Sequence, residues 1–393
     1  MLQNFEIRIG TQFVFGKGIV SQVGTQLRKK GVSRILIHHD GGKFLYESGL
    51  LQKIQESLTA ENISSVELGG VLPNPRLSLV REGIELAKRE KVDLIFAIGG
   101  GSVIDSAKAI ALGAATDGDV WEYFTGKKVP ESTLPVAAFV TYPASGSESS
   151  AVTVVNNTDQ GQKLLVSNEL VRPAIAFMDP ALTTTLPSFL SACGIVDMFS
   201  HICERYFSPD DEIGVIDRMA EGILKTIVDI GPKVLKEPSN YSYRADLMWI
   251  ATIAQNNSVG IGRTQDWATH EIGNELSALY DTPHGATISI IMGAWMRYVY
   301  KKNPARFGRY AQEVFDVSSD GKTAEDVAFE GILKTEEFFQ ALGMPTSFKD
   351  FKIPTDGIED MLDRIAFLGE DASIGGIVRL NRADCRAIYQ LAF

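Results

Sequence analysis

The sequence predicts an α/β domain followed by an all-α domain. Through residues 1–185, short apolar β-rich runs alternate with helical spacings, whereas over residues 186–393 strand signals almost vanish. A length of 393 residues also exceeds what one compact core normally holds, so two domains are expected.

In chain order, an opening hairpin is expected from residues 6–9 and 13–15. Strands follow at 34–38, 66–71, 93–98, 136–141 and 174–178, with helical patterns at 50–58 and 77–91 between them. Such alternation implies parallel pairing. The character changes near Thr183-Thr184-Thr185-Leu186-Pro187. Helical spacing then dominates at 189–206, 216–230, 245–254, 267–280, 288–299 and 327–342.

Composition narrows the function classes. A formal charge of −11, with no local run of Lys and Arg, argues against nucleic acid, which demands a concentrated basic face. Three cysteines, Cys193, Cys203 and Cys385, have no CxxC spacing and suggest neither a disulfide framework nor a thiolate zinc site. No uncharged apolar stretch reaches the ~18 residues of a membrane span, and the N-terminus lacks a secretory pattern. A cytoplasmic protein is expected.

Three of the five histidines fall in the helical half at suggestive spacings. Asp197 and His201 are four apart, so on a helix they project from one face and can grip one cation. His270 and His284 would stand about 21 Å apart on one straight helix, too far for a shared ion. Asp281-Thr282-Pro283 is a helix stop, however, and Gly285 follows. A helical hairpin would bring both imidazoles to the ion held by Asp197 and His201. One carboxylate and three imidazoles suit Fe²⁺ or Zn²⁺ and are too nitrogen-rich for Mg²⁺ or Ca²⁺. The remaining pair, His38 and His39, closes a strand and reads as structural or as lining a ligand groove.

The first half contains a strand that runs into Gly99-Gly100-Gly101-Ser102 and then a helix. Glycines permit close backbone approach, and free N–H groups with the helix dipole favour a phosphate. Ser102 is expected to cap that helix. The spacing is not GxGxxG. A second polar loop, Tyr142-Pro143-Ala144-Ser145-Gly146-Ser147-Glu148, fits contacts to a ribose or an amide.

Together these residues resemble the iron-containing, or group III, alcohol dehydrogenases over essentially the whole chain. The match includes Pro73-Asn74-Pro75, the Gly99–Ser102 loop with Asp105 and Lys108, Pro143–Glu148, the Asp197/His201 pair, and His270 with Pro283-His284-Gly285. Asp266-Trp267-Ala268-Thr269-His270-Glu271 is similar to the NADPH-dependent butanol dehydrogenase and aldehyde reductase branch. The resemblance implies a Rossmann-like dinucleotide-binding domain (1–185) and an all-α metal-binding domain (186–393), the dehydroquinate synthase-like architecture. It implies that Asp197, His201, His270 and His284 hold one divalent ion. Gly100, Gly101 and Ser102 would contact a pyrophosphate and Asp105 would lie near the nicotinamide. Thr141, Ser145, Lys163 and Leu182 match cofactor-lining positions, and Asn74 joins them. Asp105, His270 and Asn274 are the catalytic candidates. A homodimer or larger homo-oligomer is implied.

Two departures stand out. Many relatives carry a histidine where this chain has Asn274, and an amide cannot relay a proton at neutral pH. Members preferring NAD tend to have an acidic residue after the second strand. Here Gly41, Gly42 and Lys43 follow Asp40, which favours NADP(H). The expected reaction is hydride transfer between the nicotinamide and a small primary alcohol or aldehyde, with the ion polarising the C–O group. The alternative, a metal- and NAD-dependent lyase similar to 3-dehydroquinate synthase, calls for Lys and Arg around the metal. The ligand segments are flanked instead by Met198, Phe199, Trp267 and Ala268.

Overall fold

The computed structural model describes residues 3–210, 214–280, 282–367 and 372–393. Asp281, part of the expected helix stop, lies outside them. The chain forms two compact units. One comprises Arg8–Thr185 with Arg244–Asn256, and the other Leu186–Tyr243 and Asn257–Phe393 with the first residues of the chain. A single cut at 185 therefore misplaces two short pieces. Residues 244–256 join the first unit because Trp249 sets its ring edge-on to Phe13 and Phe15, and Thr252 Oγ1 donates to the buried Glu148 at 2.6 Å.

Among the described residues of the first unit, six strands form one parallel sheet. They are β1 (Gln12–Phe15), β2 (Arg34–His39), β3 (Ser64–Leu68), β4 (Leu94–Gly99), β5 (Val136–Val140) and β8 (Ile175–Met178), in spatial order β1-β8-β5-β4-β2-β3. The connecting helices are α1 (Val23–Lys29), α2 (Lys43–Glu47), α3 (Leu50–Ala60), α4 (Leu77–Glu90), α5 (Gly101–Ala114) and α6 (Trp121–Phe124). Alternate residues of each strand feed separate cores. Leu94, Phe96, Ala137 and Phe139 pack with Leu27 and Ile54 of α1 and α3, whereas Ile95, Ala97, Val136 and Ala138 pack with Val80 and Ile110 of α4 and α5. A sheet covered on both faces explains why its strands read as continuous apolar runs.

Two expectations need correction here. The opening hairpin does not form: residues 6–9 have no regular structure, and β1 instead lies parallel to β8, with Gln12 opposite Ile175 and Phe15 opposite Met178. The hairpin that does form is β6 (Val152–Asn157) with β7 (Gln162–Ser167), turning at Gly161, whose φ of +62° suits glycine. The strand expected over 66–71 stops at Leu68. Beyond it, a Cβ on Gly69 would stand 2.7 Å from the His39 ring, and Gly70 has φ +98°.

The sequential path β2→β3 runs to one side and β4→β5 to the other, so the strand order reverses between β2 and β4. The carboxyl ends of those strands are where open α/β sheets bind ligands.

The second unit is helical: α7 (Ser188–Tyr206), α8 (Val215–Lys236), α10 (Ala268–Tyr280), α11 (His284–Val299), α12 (Pro304–Phe315), α13 (Ala324–Ala341), α14 (Ile358–Arg364) and α15 (Arg382–Leu391). Most of α9 (Tyr241–Gln255) belongs to the sheet unit. α8 continues through Pro232 rather than ending at Ile230 as expected. α7 is buried from Ser191 to Tyr206, which makes every charged residue on it conspicuous. Among the described residues, no helix is long and apolar enough to cross a membrane.

Candidate metal centre and dinucleotide site

α7 presents Asp197 and His201 one turn apart, as the spacing predicts. α10 ends before Pro283, α11 starts at His284, and the helical hairpin brings the rings of His270 and His284 to 5.3 Å between centroids. Gly285 explains how α11 comes so close to α7. A Cβ there would lie 2.4 Å from the carbonyl oxygen of Cys193 and 2.5 Å from its Cα.

The result is convergence on one oxygen. Nε2 of His201, His270 and His284 lies 3.7, 3.7 and 3.5 Å, respectively, from Asp197 Oδ1. Asp197, His201 and His270 offer ligand atoms all within 4.8 Å of one another. Among the described residues, neither Asp197 Oδ1 nor His270 Nε2 has a hydrogen-bond partner, although both are buried. Buried polar atoms without partners are costly, and a shared cation would satisfy them together. One carboxylate and three imidazoles are also a donor set for iron or zinc, so the residues present fit such an ion.

The electrostatics agree. Burial opposes charge on His270, yet Asp197 and Glu204 draw its pKa up to about 9. Burial raises the Asp197 carboxyl, but His201, His270 and His284 more than reverse this and hold it well below the usual range. Positive charge is thus favoured on His270 and opposed, chiefly by burial, on His201, so the cluster offers an ionised carboxylate beside a neutral imidazole, the donor states a divalent ion needs. Sequence reasoning missed Glu204. Its Oε1 lies 3.0 Å from both the backbone nitrogen and Nδ1 of His270. The signal was available: Glu204 follows Asp197 by seven and His201 by three, on the same stripe of α7. Asp266 opens the Asp266–Glu271 motif and is buried. Its Oδ1 accepts from Ala268 N at 3.0 Å, and its Oδ2 accepts from the backbone of Gly376 and Ile377 at 2.8 Å each. Asn274 sits one turn beyond His270 on α10, half-buried.

In the sheet unit, parallel strands put all their carboxyl ends at one edge. Gly41, Gly42 and Lys43 follow β2, Asn74 follows β3, Gly100–Ser102 follow β4, Thr141 and Ser145 follow β5, and Leu182 follows β8. All are at least partly exposed, unlike the buried strands β4, β5 and β8. Lys163 stands apart on β7 but donates to Asn74 Oδ1 at 3.0 Å. Gly101 is required by close packing, because a Cβ would meet Ser145 Oγ at 2.2 Å. Ser102 does not cap α5. The helix begins two residues earlier than that cap implies, at Gly101, with Gly100 in extended conformation as its cap, so its first-turn N–H groups have no side-chain acceptor at the cap. Asp40 Oδ1 accepts from Gly42 N at 2.8 Å, folding that carboxylate back onto its own turn.

Asp105 lies one turn into α5 with both carboxylate oxygens engaged. Oδ1 accepts from Ser147 at 2.5 Å, and Oδ2 accepts from the backbone of Val154 at 3.1 Å. Lys108, fully buried, donates to Ser147 Oγ and to the carbonyls of Ser150 and Val152 at 2.7–3.0 Å. Burial depresses its pKa to about 8, with Asp105 and Glu148 opposing the shift. His38 is structural, bridging the Leu68 carbonyl at 2.9 Å and Ser106 Oγ at 2.8 Å. His39 bonds Glu67 and Gly41 N, each at 2.9 Å, and so shapes the turn after β2.

Comparison with known proteins gives the family. The family model described as iron-containing alcohol dehydrogenase matches residues 10–180, and its C-terminal counterpart matches residues 191–393. The chain is 37% identical over 389 residues to the probable NADH-dependent butanol dehydrogenase 1 of Bacillus subtilis, covering 99% of each. It is 35% identical over 367 residues to the NADPH-dependent aldehyde reductase YqhD of Escherichia coli, covering 93% of each. The crystal structure of NADH-dependent butanol dehydrogenase A from Thermotoga maritima superposes with a TM-score of 0.95 at 37% identity, covering 100% of this chain and 99% of that one. The chain belongs to the iron-containing alcohol dehydrogenase family and is a nicotinamide-dependent oxidoreductase working between alcohol and aldehyde.

Proposed function

We propose that Asp197, His201, His270 and His284 hold one divalent ion, iron or zinc, and that the chain reduces small aldehydes such as butyraldehyde, or oxidises the corresponding primary alcohols. The convergence of three Nε2 atoms on Asp197 Oδ1 carries this reading. The ion supplies Lewis acidity toward the substrate oxygen, and the nicotinamide supplies the hydride.

The chain's own residues then have separable tasks. Gly100, Gly101 and Ser102 offer backbone N–H groups to the pyrophosphate, while Thr141, Ser145, Leu182, Asn74 and Lys163 line the remainder of the cofactor. Asp105 holds the Ser147 loop and β6 in place and acts as a positioning residue. Asn274 donates a hydrogen bond to the substrate side, and its neutral amide leaves proton delivery to water or a cofactor hydroxyl. Residues 1–185 thus carry the dinucleotide and 186–393 the metal.

NADP(H) is the preferred coenzyme in this reading. Lys43 stands exposed beside Gly41 and Gly42, and the exposed Asp40 engages one carboxylate oxygen with Gly42 N. Relatives are named for either coenzyme, so the comparison of NADPH with NADH on the same protein is the decisive measurement. A cytoplasmic homodimer or larger homo-oligomer completes the proposal. The lyase alternative has no advocate among the relatives reported, which are dehydrogenases and a reductase.

The test is a panel of short aldehydes with each coenzyme, on protein of measured metal content. His270→Ala should lose metal and turnover together. Full turnover in that variant after metal resupply would refute the proposed centre.

A further inference from the structure

We infer that Glu204 is a positioning residue for the metal centre, whose buried carboxylate imposes the tautomer and ring orientation of His270. The inference rests on His270 being a ligand, as proposed above.

α7 carries Asp197, His201 and Glu204 at spacings of four and three, so one stripe of one helix faces the site. Glu204 is 2% exposed. Its Oε1 lies 3.0 Å from His270 Nδ1 and 3.0 Å from the backbone nitrogen of the same residue. Oε1 already accepts the backbone N–H of His270, so a neutral imidazole presents its proton to the same oxygen from Nδ1. Nε2 is then left with its lone pair, at 3.7 Å from Asp197 Oδ1. Because a single oxygen holds both ring and backbone, rotation of the imidazole breaks one bond while the other anchors the acceptor. The Glu204 carbonyl also accepts from Asp266 N at 2.8 Å, fastening the entrance of α10 to α7 at the same point.

His201 provides the contrast. Its Nδ1 has no hydrogen-bond partner among the described residues, so no acceptor dictates its tautomer from behind. Carboxylates behind ligating imidazoles raise their basicity and fix their aim, and their loss typically weakens metal binding about 10–100-fold. Glu204 has the geometry of such a group, and α7 would therefore supply two ligands and the orienter of a third.

The test uses the full-length protein with Glu204→Gln, which keeps the shape and removes the charge. Zn²⁺ affinity is measured by competition with a chromophoric chelator, alongside the melting temperature of the metal-free forms. The expected result is ~10–100-fold weaker Zn²⁺ binding at a nearly unchanged metal-free melting temperature. Equal Zn²⁺ affinity for Glu204→Gln and the unsubstituted chain overturns the inference. Equal affinity for His270→Ala overturns the underlying metal reading instead, so the two failures are distinguishable. Should Glu204→Gln not fold, ¹⁵N spectra of the histidine rings decide the matter. The metal-free natural chain serves as the reference, at a pH where the His270 ring is neutral: a proton already fixed on Nδ1 without zinc supports the inference, and one on Nε2 or a mixture of tautomers overturns it.

Discussion

Gly285 of α11 meets Cys193 of α7 backbone to backbone, at a place where a single methyl would fall 2.4 Å from a carbonyl oxygen. That contact lies immediately beside His284 and one turn before Asp197, so it sets how closely two of the proposed ligands approach. Gly285→Ala cannot be accommodated by a side-chain shift, because the obstruction is main chain. Overpacking of this kind costs about 1–3 kcal/mol. We expect a lower melting temperature and metal affinity reduced by at least about tenfold, readable by calorimetry and by metal titration.

A parallel prediction concerns the other unit. Gly101→Ala puts its methyl against Ser145 Oγ and Cβ, 2.2 and 2.9 Å away, at the head of α5. The first turn of α5 and the loop after β5 must separate, which spoils the close backbone approach a pyrophosphate needs. Coenzyme affinity, followed by quenching of protein fluorescence, should fall about tenfold or more while metal content stays the same. Adding Ser145→Gly removes both colliding atoms and should restore the melting temperature, though not the contacts Ser145 makes itself.

How much of this was legible beforehand follows from what each residue's signal depends on. Strands β2, β4, β5 and β8 were readable because burial on both faces makes them continuous apolar runs. The Asp197/His201 pair and the break at Pro283 were readable because helical spacing and proline are local rules. β1 was misread since its partner, β8, lies more than 150 residues away, and sequence proximity to residues 6–9 suggested a hairpin instead. Glu204 escaped notice because a lone glutamate near the end of a helix is ordinary. Its spacing from Asp197 and His201 places it on their stripe, but the fold adds that α7 is buried there and that His270 lies behind it. The cap of α5 lies two residues before Ser102, since the extended conformation of Gly100 is not written in the glycine run.

His38 gives a pH prediction. Burial is the main cause of its pKa falling to about 4, only partly offset by the bond to the Leu68 carbonyl. Its folded value thus lies below the ordinary 6.5, so between pH 6.5 and 4 the unfolded chain binds a proton that the folded chain refuses. Stability must fall as pH drops through that window, by up to about 3 kcal/mol from this group. His38→Asn removes the titration. Melting temperature against pH should then be flatter between pH 6.5 and 4.5 than for the natural chain, even where the variant is less stable at pH 7.

The last prediction concerns coenzyme choice and turns on Lys43. This residue opens α2 directly after the Gly41-Gly42 turn, exposed at the carboxyl edge of the sheet. A 2′-phosphate beside it would gain a charge-assisted contact, whereas a bare ribose would gain nothing from the ammonium. Such contacts are worth about 1.5–3 kcal/mol when well formed, and less where solvent reaches the pair. Lys43→Ala should therefore lower kcat/KM for NADPH by about 5–10-fold, chiefly through KM, and leave NADH nearly untouched. The loss should shrink at high salt, because the contact is exposed and screened. Equal losses for both coenzymes would mean that Lys43 supports the turn rather than reading the phosphate, and would remove the main residue argument for NADPH.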